Sequence, residues 1–277
     1  MSLKHITSLV TASLAAAVLF LTTPVLAQRS QVRRLPSDVA EGARYDRCLE
    51  QAAKEPAEAF EAALAWTSQG GAEAARHCAA VALLYNGQPE AAATRLEQLA
   101  QDMRLHTPAR RAEVLAQAGR AWLEGRNTAR AVAVFTTAQE LAPDNPELWI
   151  DRAEAYAAAE NYWEAIDDLN HAVELDRRRA DAYAFRAAAY RMVKETNLAM
   201  EDASRAVELN GQLPDAWLER GILNRLKGDV PAARRDFLQV LVLDPDGPAG
   251  DAARANIERM ELKLGDEPAP TAPRRRR

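Results

Sequence analysis

The side chains best suited to chemistry in this sequence are its two cysteines and four histidines. Cys48 and Cys78 are too far apart for a CxxC pair, and the sequence contains no HExxH motif and no glycine-rich phosphate loop. His77 lies beside Cys78, but two cysteines and one histidine match no recognised metal-ligand spacing. His106 and His171 have no serine or cysteine nucleophile at a suggestive spacing. The sequence therefore predicts neither catalysis nor a metal or cofactor.

The first 27 residues have the features of a secretory signal peptide. Lys4 precedes a mostly apolar run from Ile6 to Leu21, and small residues end the segment at Ala27. We expect cleavage after Ala27, which predicts a periplasmic or secreted protein. The alternative is an uncleaved membrane anchor, because the apolar run is almost long enough to span a bilayer.

The two cysteines gain a second interpretation in an exported chain. An even cysteine count in an oxidising compartment suggests that Cys48 and Cys78 form a disulfide. Closing a loop of this size would stabilise the fold by about 3–4 kcal/mol. The alternative is two separately buried thiols, since cysteine is among the most buried residue types.

Residues 112–247 repeat with a period of 34 residues, in the blocks 112–145, 146–179, 180–213 and 214–247. A fixed period of this length is typical of stacked helical hairpins. Two helices that cross closely need small residues where their backbones meet, and Gly221 with Ala233 is one such predicted pair. Small residues recur at the eighth position (Gly119, Ala153, Ala187, Gly221) and alanine at the twentieth (Ala131, Ala165, Ala199, Ala233).

The clearest copies of the repeat read ELWIDRAEAYAAAENYWEAIDDLNHAVELD and PDAWLERGILNRLKGDVPAARRDFLQVLVLDP. This pattern resembles the tetratricopeptide repeat (TPR) family over about half of the chain. The resemblance implies an all-α fold, a right-handed α-solenoid of helix-turn-helix repeats with a C-terminal capping helix. It also implies a protein that binds other proteins. Arg177 and Gly211 replace the family's closing proline in the middle blocks.

The segments outside these four blocks have different predicted roles. Residues 28–40 read as a flexible lead, and residues 41–111 as degenerate helical hairpins that resemble the repeat. Residues 248–264 form an amphipathic pattern that would cap the exposed end of the array. Residues 265–277 are proline-rich, end in four arginines and are predicted to be disordered. Weak contact of this basic tail with an anionic envelope surface is one hypothesis, and a solubilising tail is the other.

A charge pattern recurs in the last three blocks. The seventh position is arginine and the twenty-third is aspartate, whereas the first block has Ala118 and Val134 there, so both charges are missing together. We therefore predict a bidentate ion pair between the two helices of each hairpin, and the alternative is unrelated surface charges. The predicted pairs are Arg152–Asp168, Arg186–Asp202 and Arg220–Asp236.

The TPR resemblance also indicates which positions of each first helix face the concave groove. It predicts an aliphatic patch with three arginines, suited to an amphipathic helix or an extended segment with some acidic character. The alternative is a solvated groove without a ligand. The predicted groove residues are Arg120, Ile150, Glu154, Arg191, Leu218, Ile222 and Arg225.

These observations favour an exported interaction scaffold of the bacterial cell envelope that binds a protein or peptide partner in its groove. The formal net charge of −5 argues against a nucleic-acid partner. Two alternatives remain open. One is an envelope-tethering protein that acts through its basic termini, Arg29–Arg34 and Arg274–Arg277. The other is an enzyme, or a regulatory subunit of an envelope enzyme.

Overall fold

The computed structural model describes residue 34 and residues 42–266, with side chains described as far as residue 261. The predicted signal peptide, nearly all of the lead and the tail from residue 267 lie outside this part. Within it, every regular element is an α-helix, and none of these helices is long and apolar enough to cross a membrane. The helices are α1 Ala43–Lys54, α2 Pro56–Ser68, α3 Ala72–Tyr85, α4 Pro89–Asp102, α5 Pro108–Glu124, α6 Thr128–Leu141, α7 Pro146–Ala158, α8 Tyr162–Leu175, α9 Ala180–Met192, α10 Thr196–Leu209, α11 Pro214–Leu226, α12 Val230–Leu243 and α13 Pro248–Asp266.

The helices pack as a chain of hairpins, each stacked on the next. Helices α5/α6, α7/α8, α9/α10 and α11/α12 are the four predicted repeats, and α13 covers both helices of the last one. The prediction of an all-α solenoid is therefore confirmed. The first helices of neighbouring repeats also contact one another, more than the second helices of the described part do. Elements that approach more closely lie on the inside of a curved stack, so the first helices line its concave surface.

The start of the regular array differs from the prediction. The extra residues 107–111 do not separate two units. Thr107 caps α5 by accepting a hydrogen bond from the Arg110 amide, and Pro108 occupies the first helical position. Both residue types favour a helix start. The predicted boundary after residue 111 therefore falls inside α5, which has one more turn than the other first helices.

A left-handed residue closes each hairpin at the fifteenth position of the repeat. The φ angles are +59° at Arg126, +63° at Glu160 and +67° at Lys194, while glycine takes this conformation at Gly87 and Gly228. A left-handed residue after the last helical turn ends a helix and redirects the chain. The same turn thus sets the same hairpin geometry in the degenerate repeat and in the four regular ones.

Glycine at the eighth position makes room for a phenylalanine ring. A Cβ atom on Gly221 would lie 2.7 Å from the Phe237 ring, and one on Gly119 would lie 2.5 Å from the Phe135 ring. The prediction paired Gly221 with Ala233, but the ring of Phe237 makes the closest approach. Real Cβ atoms do not come this close to a ring, so both positions exclude a larger residue.

The two middle repeats combine a larger eighth residue with a smaller twenty-fourth residue. Where the twenty-fourth residue is smaller, as Leu169 or Ala203, the eighth is alanine, as Ala153 or Ala187. All four of these side chains are buried. The size of one residue is therefore matched to the size of the other in every regular repeat.

This matching predicts a compensated substitution. Gly221→Ala should lower the free energy of unfolding by about 1–3 kcal/mol, because its methyl group overlaps the Phe237 ring. Adding Phe237→Leu should relieve that overlap and recover part of the lost stability, because the second repeat combines alanine and leucine at the same two positions. Urea unfolding followed by circular dichroism measures both.

Gly211→Ala is the matched control, because the nearest atom to its added Cβ is 3.7 Å away. This variant should change the free energy of unfolding by less than about 1 kcal/mol. Equal stability of Gly221→Ala and Gly211→Ala would contradict the account.

The concave surface as candidate binding site

The charge pairs predicted within the last three repeats are present, and each is bidentate. In every pair the guanidinium Nε and Nη2 groups donate to the two oxygens of a buried aspartate. The pairs join the first helix of a hairpin to the second, so they hold the surface-lining helix in place. The donor–acceptor distances are 2.8 and 2.7 Å for Arg152–Asp168, 2.7 and 2.8 Å for Arg186–Asp202, and 3.0 and 2.7 Å for Arg220–Asp236.

Aromatic rings complete the environment of these arginines. The Arg152 guanidinium lies 5.4 Å from the Trp149 ring centroid and 5.7 Å from that of Tyr156. Such cation–π contacts contribute about 0.5–1 kcal/mol each at exposed sites. In the last repeat Asn224 replaces the second ring, and its amide donates to Asp236 at 2.9 Å. The sequence indicates these cation–π contacts through aromatic residues three positions before and four positions after the arginine, because such positions share a helix face.

The first repeat has apolar residues in place of the arginine and aspartate, and this difference suggests a test of how much an Arg–Asp pair contributes to stability. Arg152→Ala should destabilise the fold by about 3–5 kcal/mol, because it leaves the buried Asp168 carboxylate without its partner. The double variant Arg152→Ala/Asp168→Val reproduces the buried Ala118 and Val134 of the first repeat. It should recover most of the loss, measured by chemical denaturation.

Arg205→Ala is the matched control, because the Arg205–Glu208 pair is largely exposed. Removing it should cost less than about 1 kcal/mol. A double variant no more stable than Arg152→Ala would show that the carboxylate is not the source of the loss.

Three of the predicted groove residues are not accessible to a ligand. Ile150, Leu218 and Glu154 have 0, 3 and 5% of their surface exposed, respectively. Ile150 and Leu218 lie in hydrophobic clusters, where neighbouring helices cover them. The predicted aliphatic patch is therefore corrected: the fifth position of the first helix belongs to the core and not to the open surface.

Two of the three predicted groove arginines link neighbouring repeats. Arg120 donates to Asp151 through Nε at 3.0 Å and through Nη2 at 2.5 Å. Arg191 donates to Glu219 at 2.5 and 3.2 Å in the same manner. In both cases the acceptor occupies the sixth position of the following repeat. These contacts neutralise the arginine charge and tie adjacent first helices together.

The third arginine has a different environment. The Nε atom of Arg225 is buried and has no hydrogen-bond partner in the described part of the chain. Burial lowers the pKa of Arg225, and repulsion from Arg259 and Arg191 adds to this effect. Ile222, one turn earlier, is half-buried, and Leu226 is 56% exposed. This end of the surface therefore combines positive charge with accessible apolar side chains.

The rest of the concave surface is predominantly acidic. The second position of the repeat is acidic in all four blocks, and the sixth and ninth positions add further carboxylates. Arg179 bridges two neighbouring repeats by donating to Glu147 and to Asp181, both at 2.7 Å. Even so, carboxylates outnumber arginines along the lining. The acidic residues are Glu113, Glu147, Asp151, Glu154, Asp181, Asp215 and Glu219, of which Asp151, Glu154 and Glu219 are buried.

The predicted disulfide is present at the N-terminal end of the array. Cys48 on α1 and Cys78 on α3 are joined with their Cα atoms 6.2 Å apart. Both residues are buried. The residues that the structure describes contain no group of three or more side chains that could hold a metal ion. The disulfide between the two cysteines connects the first helix to the third.

A buried polar network next to the disulfide was not predicted. His77 is fully buried, with Nδ1 2.9 Å from the Tyr45 hydroxyl and Nε2 2.9 Å from Gln117 Oε1. Burial lowers the pKa of His77 to about 4, and the hydrogen bond with Gln117 opposes this shift. The three residues come from α1, α3 and α5, so the network links the irregular hairpins to the first regular repeat.

The network predicts acid sensitivity. The pKa of His77 is about 4 in the folded chain and about 6.5 when unfolded, so the unfolded chain binds more protons between these values. Stability should therefore fall as the pH decreases from about 6.5 to 4, by about 3 kcal/mol in total. Urea unfolding across this range measures the loss.

Carboxylates titrate in the same window, so the informative quantity is the difference from His77→Gln. This variant keeps hydrogen-bonding groups at the site but cannot bind a proton. Its stability should depend less on pH than that of the natural chain. Parallel pH profiles for the two proteins would exclude His77 as the source.

Comparisons with known proteins agree with this architecture. The family profile for the tetratricopeptide repeat matches residues 79–146, 116–184 and 197–248, which together span more than half of the chain. No curated protein sequence matches significantly.

Three solved structures share the fold. MamA 41-end from Desulfovibrio magneticus RS-1 is 24% identical, with a TM-score of 0.50, over 60% of this chain and 91% of that one. A further MamA crystal structure is 18% identical, with a TM-score of 0.50, over 73% of this chain and 100% of that one. A thermophilic TPR protein of Thermus thermophilus, TTC0263, is 20% identical, with a TM-score of 0.56, over 69% of this chain and 100% of that one. On the evidence of the profile match and the stacked hairpins, the chain belongs to the tetratricopeptide repeat family.

Proposed function

We propose that this chain is an exported scaffold that binds a segment of another protein along its concave surface. The observation that supports this most is the arrangement of charged side chains on that surface. Arg120 and Arg191 are each held by a carboxylate of the next repeat, and Arg179 is held by Glu147 of its own repeat and Asp181 of the next, so the surface is ordered before a partner arrives. Preorganisation of this kind reduces the entropy lost on binding. The ordered surface therefore supports binding of a protein segment as the proposed function.

The charge of the surface indicates the chemistry of the partner. Two of the arginines that suggested an acidic ligand are paired with Asp151 and Glu219. These two pairs cancel in charge, and Glu147, Asp181 and Asp215 still outnumber Arg179 over the central repeats. This excess of negative charge favours a segment that carries lysine or arginine side chains. Complementary charge of this kind mainly sets specificity and the rate of association.

Export is supported by two independent features. The N-terminal sequence has the pattern of a signal peptide, although it lies outside the described residues. The disulfide between Cys48 and Cys78 is a bond that persists in oxidising compartments such as the periplasm. We therefore place the scaffold outside the cytoplasm. Contact of the basic tail with an anionic envelope surface remains a separate hypothesis.

The binding surface can be tested by capture from an envelope extract. The bait is the mature chain, residues 28–277, compared with an Ala188→Arg variant. Ala188 lies at the ninth position of α9, is half-buried and is close to the middle of the array. A long cationic side chain there should obstruct a bound segment and repel a basic one, and should reduce capture at least about tenfold.

Thr137→Arg is the matched control, because Thr137 is exposed on α6, a second helix. It introduces the same side chain on a helix that does not line the concave surface. Circular dichroism shows whether both variants keep their helix content. Equal capture by Ala188→Arg and the natural chain would place the binding site elsewhere.

A further inference from the structure

The twelfth position of the first helix is arginine in three successive units. Arg191 lies on α9, Arg225 on α11 and Arg259 on α13, each 34 residues from the next. The acceptor for Arg191 is Glu219, which lies 28 residues later. The residue 28 positions after Arg225 is Ala253, which is fully buried and has no acceptor in its side chain. The capping helix therefore lacks the carboxylate that the preceding repeat provides.

The missing carboxylate concerns two arginines, Arg225 on α11 and Arg259 on α13. Among the described residues, no carboxylate forms an ion pair with Arg225 or with Arg259, and Arg225 Nε has no hydrogen-bond partner. Arg225 and Arg259 occupy the same position of two consecutive units, and α11 contacts α13. At this separation the two positive charges repel each other. Arg225 is half-buried and Arg259 is exposed. A half-buried guanidinium group without an anion is unfavourable, so an added anion would bind at Arg225 with a gain in free energy.

The apolar neighbours of Arg225 indicate what accompanies the anion. Leu226, the residue after Arg225, is 56% exposed. Ile222 lies on the same helix face as Arg225 and Leu226. An inorganic ion would leave these side chains in water. A carboxylate that belongs to a peptide would bring apolar groups to cover them.

We propose that Arg225 and Arg259 form an anion subsite at the C-terminal end of the concave surface, which binds a carboxylate of the partner segment. The proposal rests on the proposed scaffold function and adds a direction to it. Basic side chains of the segment lie over the acidic central repeats, and an acidic residue next to an apolar one lies over α11 and α13. Guanidinium groups suit this role because they can bind both oxygens of a carboxylate.

The subsite can be tested without knowing the partner. The mature chain, labelled with ¹⁵N, is titrated with three peptides while the Nε–Hε resonances of Arg225 and Arg259 are followed by NMR. Acetyl-Leu-Glu-Leu-amide carries a side-chain carboxylate, acetyl-Leu-Gln-Leu with a free C-terminus carries a terminal one, and acetyl-Leu-Gln-Leu-amide carries none. At least one of the first two peptides should shift these resonances saturably, and the third should not. The stronger of the two identifies the source of the carboxylate.

Two variants sharpen the result. Arg225→Gln, followed at the Nε–Hε resonance of Arg259, should weaken binding of the carboxylate peptide about ten- to hundredfold, since a hydrogen bond to a charged group contributes about 1.5–3 kcal/mol. Ala253→Glu restores the acceptor that Arg191 has, and it should block the site from within the chain. Arg205→Gln, on an exposed arginine of α10, should leave peptide binding unchanged. If Ala253→Glu does not fold, the comparison of Arg225→Gln with Arg205→Gln still tests the subsite.

The outcomes separate the subsite from the scaffold function. No saturable shift with either carboxylate peptide, or an equal shift with the neutral one, would overturn the subsite. If Arg225→Gln captures a partner as well as the natural chain while Ala188→Arg does not, the scaffold function stands and the subsite fails. If the peptide binds at Arg225 but no protein is captured, the subsite stands and the scaffold function fails.

Discussion

The structure depends on one constraint: a single helical hairpin cannot bury all of its apolar surface. Each hairpin must stack on the next, and stacking places successive first helices side by side. This arrangement buries Ile150 and Leu218 between neighbouring helices. It also brings the sixth position of one repeat close to the ninth or twelfth position of the preceding one, where Asp151 and Glu219 accept from arginines. The concave surface is thus a direct result of burying the core.

Arginine–carboxylate pairs have two separate roles in this solenoid. Pairs such as Arg152–Asp168 join the two helices of one hairpin. Pairs such as Arg191–Glu219 join the first helices of neighbouring repeats. The second kind of pair is missing between the last repeat and the capping helix, because Ala253 provides no acceptor for Arg225. The result is an acidic surface with positive charge at its C-terminal end.

Features that recur within each repeat could be predicted from the sequence. The period located the hairpins, and the joint absence of arginine and aspartate from the first block indicated the pairs within them. Features that depend on distant contacts could not be predicted. The His77 network joins residues 32 and 40 positions apart in an irregular region. Which groove positions stay open, as Ile222 does and Ile150 does not, depends on how closely the next helix packs.

The central claim, that the concave surface binds a protein, is tested most directly by photo-crosslinking in living cells. A photoreactive amino acid replaces Ala188 on the concave side or Thr137 on a second helix. The account predicts a cross-linked partner from Ala188 and none from Thr137, and the cross-linked peptide should contain lysine or arginine. Cross-links from Thr137 alone, or from both positions equally, would contradict the claim.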